Sequence, residues 1–178
     1  MNESWIFDEP NFVVPGAVGE PGQRLFFLYA QQEGIVRWFK VEKQQVAALC
    51  DYLDGILADL PTMPTPSIEP IGSIAPTDIE WAIGRLQIGF EASDEKVVIV
   101  AEELIEIDEE MAGQIDFNDP DMFSQLGFEP ATVQFRLSPA QVATFVAIGN
   151  AIVKSGRPSC PFCRRPKDAS GHACPRMN

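Results

Sequence analysis

The sequence predicts an α+β fold: an antiparallel sheet with two packed helices, followed by a small C-terminal zinc knuckle. Three observations carry this. Runs rich in β-branched and aromatic residues recur at strand length between turn clusters. Two other stretches place apolar residues at three- and four-residue spacing, one stripe on a helix. Three of the four cysteines and the only histidine crowd into residues 160–174. A chain of 178 residues that is 46% hydrophobic and 10% aromatic has enough apolar material for the core of one domain, and its composition excludes wholesale disorder.

The elements follow in chain order. Trp5–Asp8 and Phe12–Val18 read as extended segments interrupted by Pro10 and Pro15, and Gly19-Glu-Pro-Gly-Gln-Arg24 is a turn cluster. Leu25–Gln31 and Ile35–Val41, separated only by Gln32-Glu33-Gly34, form a hairpin. A helix is expected from about Glu42 to Leu60, with Val46, Leu49, Cys50, Leu53, Ile56, Leu57 and Leu60 on its apolar stripe. Five prolines between Pro61 and Pro76 remove ladder donors and block helix, which predicts a surface linker over 61–76. Trp81–Phe90 alternates apolar and polar residues with one slip near Gly84-Arg85, and Lys96–Ile107 completes a second hairpin. Residues 108–130 are acidic and irregular, an insertion with apolar anchors. Ala131–Leu137 is a strand. Ser138 as N-cap with Pro139 at the first helical position opens the second helix, which runs to about Lys154 and is closed by Gly156.

The two helix starts resemble each other. Val41-Glu-Lys-Gln-Gln-Val-Ala47 aligns without gaps on Leu137-Ser-Pro-Ala-Gln-Val-Ala143, 96 residues later. Either two strand-to-helix entries use similar residues, or the body is a pair of strand–strand–helix units related by pseudo-symmetry and sharing one antiparallel sheet; the second is the expectation.

Charge divides the chain differently. Residues 1–153 hold 7 basic against 25 acidic residues, a net of −18; residues 154–178 hold 6 basic residues and only Asp168, a net of +5. That reversal marks 157–178 as a module distinct from the body, 1–156. An acidic body repels phosphate backbones, which disfavours a general nucleic-acid binder. The apolar runs are too short to cross a bilayer. Met-Asn-Glu-Ser-Trp lacks the basic and apolar regions of a signal peptide, so the expected location is the cytoplasm.

Cys160-Pro-Phe-Cys163 and His172-Ala-Cys174 flank an eight-residue loop in which Gly171 permits reversal of the chain. Zinc prefers four such ligands in a tetrahedron, and a Cys-x-x-Cys turn presents two thiolates to one ion. A redox-active pair would sit in a βαβ context that is missing here, and a disulfide is disfavoured in the cytosol. The predicted ligands are therefore Cys160, Cys163, His172 and Cys174, with His172 the least usual of the set. Four protein ligands close a site, so the ion is expected to be structural.

Other signals are weaker. With His172 on the metal no histidine is left for acid–base work, and Ser–His–Asp or Cys–His catalysis has no base. Cys50 lies on a helix stripe and reads as a core residue. The 19–24 turn lacks the order of a P-loop; Arg24 there is either part of a tight turn or an anion ligand. Asp116-Phe-Asn-Asp-Pro-Asp121 lacks the glycine and glutamate of a calcium loop. Carboxylates from Glu102 to Glu110 read as an exposed face.

Val18-Gly-Glu-Pro-Gly-Gln-Arg24, the Glu42 and Leu137 helix starts, and Gly156-Arg-Pro with Cys-Pro-Phe-Cys and Gly-His-Ala-Cys-Pro-Arg176 together resemble an actinobacterial domain-of-unknown-function family, number three thousand and ninety. The resemblance spans nearly the whole chain. It implies a cytosolic protein and a gene neighbourhood with phosphatase-like and kinase-like proteins; it carries over no catalytic residue.

Three functions follow. The first is a non-catalytic adaptor whose zinc knuckle presents Arg157, Arg164, Arg165, Lys167 and Arg176 to a partner protein. The second is nucleic-acid binding through that basic knuckle, with Phe162 stacking on a base. The third is an enzyme or regulatory partner acting on phosphorylated small molecules, with Arg24 as anion ligand.

Overall fold

The computed structural model describes residues 3–60, 64–66, 75–106, 129–156, 160, 162–163 and 174–176. Most of the 61–76 linker and of the 108–130 insertion, including the Asp116–Asp121 stretch, lies outside the described residues.

Among the described residues there are seven strands and two helices: β1 (Trp5–Phe7), β2 (Phe12–Val18), β3 (Leu25–Gln32), β4 (Ile35–Val41), α1 (Lys43–Ala58), β5 (Ile83–Glu91), β6 (Lys96–Glu103), β7 (Thr132–Leu137) and α2 (Pro139–Lys154). The α+β class and both hairpins are as expected. One shared antiparallel sheet is not. The strands form a three-stranded sheet β2-β3-β4 and a four-stranded sheet β1-β7-β6-β5, and β1 runs parallel to β7. Parallel partners distant in sequence leave no local pattern to read. Pro15 does not interrupt β2 either. It lies inside the strand, opposite Leu28, and β2 is an edge strand, where a missing donor costs no ladder bond on the outer side.

The pseudo-repeat expected from the helix starts is seen as repeated topology. Each half is a three-stranded antiparallel meander followed by a helix: β2-β3-β4-α1, then β5-β6-β7-α2. Each half is also preceded by a short segment that pairs with the other half. β1 lies along β7; residues 80–82 lie along β4, with Lys40 N–H donating to Trp81 O at 2.9 Å and Glu80 N–H to Trp38 O at 2.9 Å. Taking each leading segment with the strand it enters, the order of pairing closes into a ring. At its centre Phe39 and Phe135, 96 residues apart and both fully buried, meet edge to face at 6.1 Å between ring centroids.

The helix starts reinforce this interlock. Gln45 Oε1 accepts the Glu42 N–H at 2.8 Å, and Gln141 Oε1 accepts the Ser138 N–H at the same distance. Each glutamine is the third helical residue and closes the first turn. Its Nε2 then donates to the opposite half: Gln45 to Ile83 O at 3.1 Å, Gln141 to Pro10 O at 2.6 Å. The repeated Gln-Val-Ala is therefore a joint between the halves.

The main core draws from both sheets and both helices: Phe7, Leu28, Phe39, Val46, Leu53, Ile99, Val133, Phe135, Val142 and Phe145 are all buried in it. α1 and α2 pack at close range because Gly149 has no side chain. A Cβ there would stand 2.3 Å from Cys50 Sγ. β6 ends at Glu103, short of the expected Ile107. Beyond that point Leu104 N–H turns to Ala82 O at 2.7 Å. No helix among the described residues is long and apolar enough to cross a membrane.

Candidate metal centre

Three of the four predicted ligands are brought together. The sulfurs of Cys160, Cys163 and Cys174 all lie within 4.8 Å of one another. Cys160 and Cys174 are buried, Cys163 half-buried, and none is in a disulfide. Cys160 Sγ and Cys174 Sγ are 3.8 Å apart. Sulfurs each about 2.3 Å from one tetrahedral zinc stand about 3.8 Å from each other, so this spacing fits a shared ion. It is far too long for a disulfide, at about 2.05 Å. His172 lies outside the described residues, as do Arg157, Arg164, Arg165 and Lys167.

Local sequence explains the convergence. Cys160 and Cys174 are each followed by proline, and each opens a turn, at Phe162-Cys163 and at Pro175-Arg176. Proline has no N–H to offer the preceding cysteine's sulfur, so amides further along the turn must supply those bonds. The Cys163 and Phe162 N–H groups bond Cys160, and the Arg176 N–H bonds Cys174. The second turn was legible in Cys174-Pro-Arg176, a shortened echo of Cys160-Pro-Phe-Cys163.

These amides settle where negative charge collects. The Cys163 N–H, helped by the Phe162 N–H and the neighbouring thiols, outweighs burial and holds the Cys160 thiol down at about 7. Cys174 receives the Arg176 N–H, which favours its thiolate, yet burial and the nearby Cys163 and Cys160 sulfurs push it above the ordinary thiol value. Cys160 is thus partly ionised near neutral pH. A bound cation would oppose the mutual repulsion of the others.

Two predicted partner-facing arginines have partners within the chain. Arg176 Nη1 donates to Phe162 O at 3.1 Å and ties the two cysteine turns together. Arg24 Nη1 donates to Ser155 Oγ at 2.8 Å, just past the α2 C-terminus, where positive charge also meets the negative end of the helix dipole. The turn before it uses Gly19 and Gly22 at φ of 100° and 104°, a backbone region that side chains other than glycine rarely enter.

Cys50 is core, as its helix position implies. Burial, with Asp51 and Asp54 nearby, pushes its thiol up to about 11, so it stays neutral and unreactive. Glu102 and Glu103 are engaged structurally: Glu102 accepts from Gln87 Nε2 at 2.7 Å, and Glu103 Oε2 accepts the Ala131 N–H at 3.1 Å.

The match to known families runs from β1 into the cysteine cluster: residues 5–174 match the family described as a protein of unknown function (DUF3090). The chain belongs to that family. The matched span takes in both the α+β body and all three clustered cysteines, so the family pattern covers the two together. No curated protein and no solved structure matches the chain significantly.

Proposed function

We propose that the C-terminal cluster holds a structural Zn²⁺ on Cys160, Cys163 and Cys174, with His172 as fourth ligand, and that the chain is a non-catalytic cytoplasmic adaptor. The observation that carries this reading is the sulfur triad, with Cys160 and Cys174 at 3.8 Å and amides aimed at both. Thiolate ligands select zinc over harder cations. Four protein ligands leave no open position for substrate. The ion would join two turns that are too short to bury an apolar core of their own, and in zinc-finger peptides such binding supplies about 10 kcal/mol. The joined turns would present Arg157, Arg164, Arg165 and Lys167 to an acidic or phosphorylated surface of a partner protein.

Cobalt substitution tests the ligand set. Cobalt(II) added to the reduced full chain should give the intense ligand-field absorption of a tetrahedral thiolate site. His172→Ala should shift that absorption, and Cys160→Ser should largely remove it. A weak octahedral spectrum in the unmodified chain would refute the site. For the adaptor role, a partner should be retained from host lysate by the intact chain and lost with Cys160→Ser; equal retention would remove the knuckle from recognition.

A second reading rests on Phe162, 54% exposed on the first cysteine turn. An aromatic there suits base stacking beside basic residues. The salt slope of binding to single-stranded RNA should then reflect only a few phosphate contacts. No binding at low salt ends that reading. For the third, phosphate-directed reading, Arg24→Ala should abolish phosphate binding at an unchanged melting temperature. Because Arg24 is bonded to Ser155, its removal should lower the melting temperature instead.

A further inference from the structure

The two halves treat their leading edges differently. β2 carries Pro15 in mid-strand, and α2 packs along it, with Gly149 seated over the Pro15 ring. β5, its counterpart, ends its sheet with nothing paired to the outer side of residues 85–91 among the described residues. Gln45 caps the start of that edge at the Ile83 and Gly84 carbonyls, and 80–82 leave it for β4. Beyond the cap, alternate residues of 85–91 direct backbone donors and acceptors away from β6, without the proline or lysine that usually blunts an edge.

Side chains along this edge are complementary to themselves. On the core face Leu86 and Ile88 are half-buried and Phe90 is 45% exposed. Leu86 and Ile88 line a groove of about 440 Å³ against α1, where Tyr52 is 57% exposed. On the other face stand Arg85, reaching Glu102 at 3.8 Å, and Glu91, paired with Arg136. We infer that β5 pairs antiparallel with β5 of a second copy about a twofold at Ile88. In that register Arg85 lies opposite Glu91 at both ends, Leu86 opposite Phe90, and Ile88 opposite itself. Both end pairs extend existing ion networks, from Glu102 through Arg85 to Glu91 and Arg136 of the other copy. A twofold centred on a residue pair is allowed whichever alternate residues direct their backbone groups outward. The two four-stranded sheets become one of eight, isologous as a twofold interface must be. The Tyr52 grooves of both copies meet over its centre.

Light scattering and sedimentation of the full chain over a dilution series test this. The unmodified chain should be a dimer that dissociates reversibly. Arg85→Glu alone, and Glu91→Arg alone, place like charges opposite each other twice and should each weaken self-association about tenfold or more. An equimolar mixture of the two variants places opposite charges at both ends, so it should restore a dimer containing one of each. Circular dichroism of each variant checks that the fold is kept. A second probe, Ile88→Cys, should cross-link to a dimer on mild oxidation far faster than the unmodified chain. A chain that stays monomeric at all concentrations overturns the proposal. So does a dimer that neither charge variant weakens, or a mixture that fails to recover.

Discussion

The body and the C-terminal tail are held by different physics. In the body, order comes from apolar burial around Phe39, Phe135, Phe145 and Leu53, with two glutamines locking one half to the other. In the tail, the buried side chains among the described residues are Cys160 and Cys174, and what converges there is sulfur and backbone amide. A core of that kind tolerates loss of a metal. Turns this short cannot fold on hydrophobic contacts alone and would depend on a bound ion. The same chain therefore contains one part that its apolar sequence folds and one that a cation is expected to fold.

The largest effect that separates the two is chelation. Stripping the ion under reducing conditions should remove about 10 kcal/mol from the tail and leave the body's melting transition nearly unmoved. Amide exchange should then rise in 160–176 alone; a rise spread through α1 and α2 would break the distinction. The reverse experiment is Phe135→Ala. It opens a cavity between the halves and should cost about 3–5 kcal/mol of unfolding free energy. Zinc content per folded chain should stay constant.

A smaller effect tests the helix contact. Replacing glycine by alanine inside a helix normally gains up to about 1 kcal/mol. At Gly149 the new methyl meets Cys50 Sγ, so Gly149→Ala should instead destabilise by about 1–3 kcal/mol. Adding Cys50→Ala to the same chain should recover part of that loss. If Gly149→Ala stabilises on its own, the close approach of α1 and α2 is wrong.

How far each region could be read from sequence follows the same division. The hairpins β3–β4 and β5–β6 and both helices were legible because strand and helix periods are local. The slip near Gly84 was real: the register shifts between Ile83 and Arg85. The repeat at Gln45 and Gln141 was visible too, but its purpose was not, because each glutamine bonds a carbonyl far along the chain. Three-residue β1 reads only as extended, since nothing near Trp5 names Val133 as its partner. In the tail, ligand chemistry made Cys160, Cys163 and Cys174 legible at once. The bonds of Arg176 to Phe162 O and of Arg24 to Ser155 Oγ were not legible, because each partner lies 14 or 131 residues away and no local pattern names it.

The smallest effect is a pH slope within the tail. Cys160 is depressed to about 7. Stability drawn from its thiolate is present above the unfolded thiol value and fades as pH falls through 7. Metal binding must displace one more proton below that point. Zinc affinity, followed by competition with a chromophoric chelator, should therefore fall more steeply below pH 7 than above it. An unchanged slope through neutrality would mean that the amides of Phe162 and Cys163 do not hold a thiolate.

Elemental analysis of the reduced full chain, freshly purified without chelator, addresses the metal centre most directly. The unmodified protein should carry one zinc per chain. A chain with Cys160→Ser, Cys163→Ser and Cys174→Ser should carry none while its body melts at the same temperature. An unmodified protein without stoichiometric metal, or a triple variant that keeps its zinc, would contradict the account.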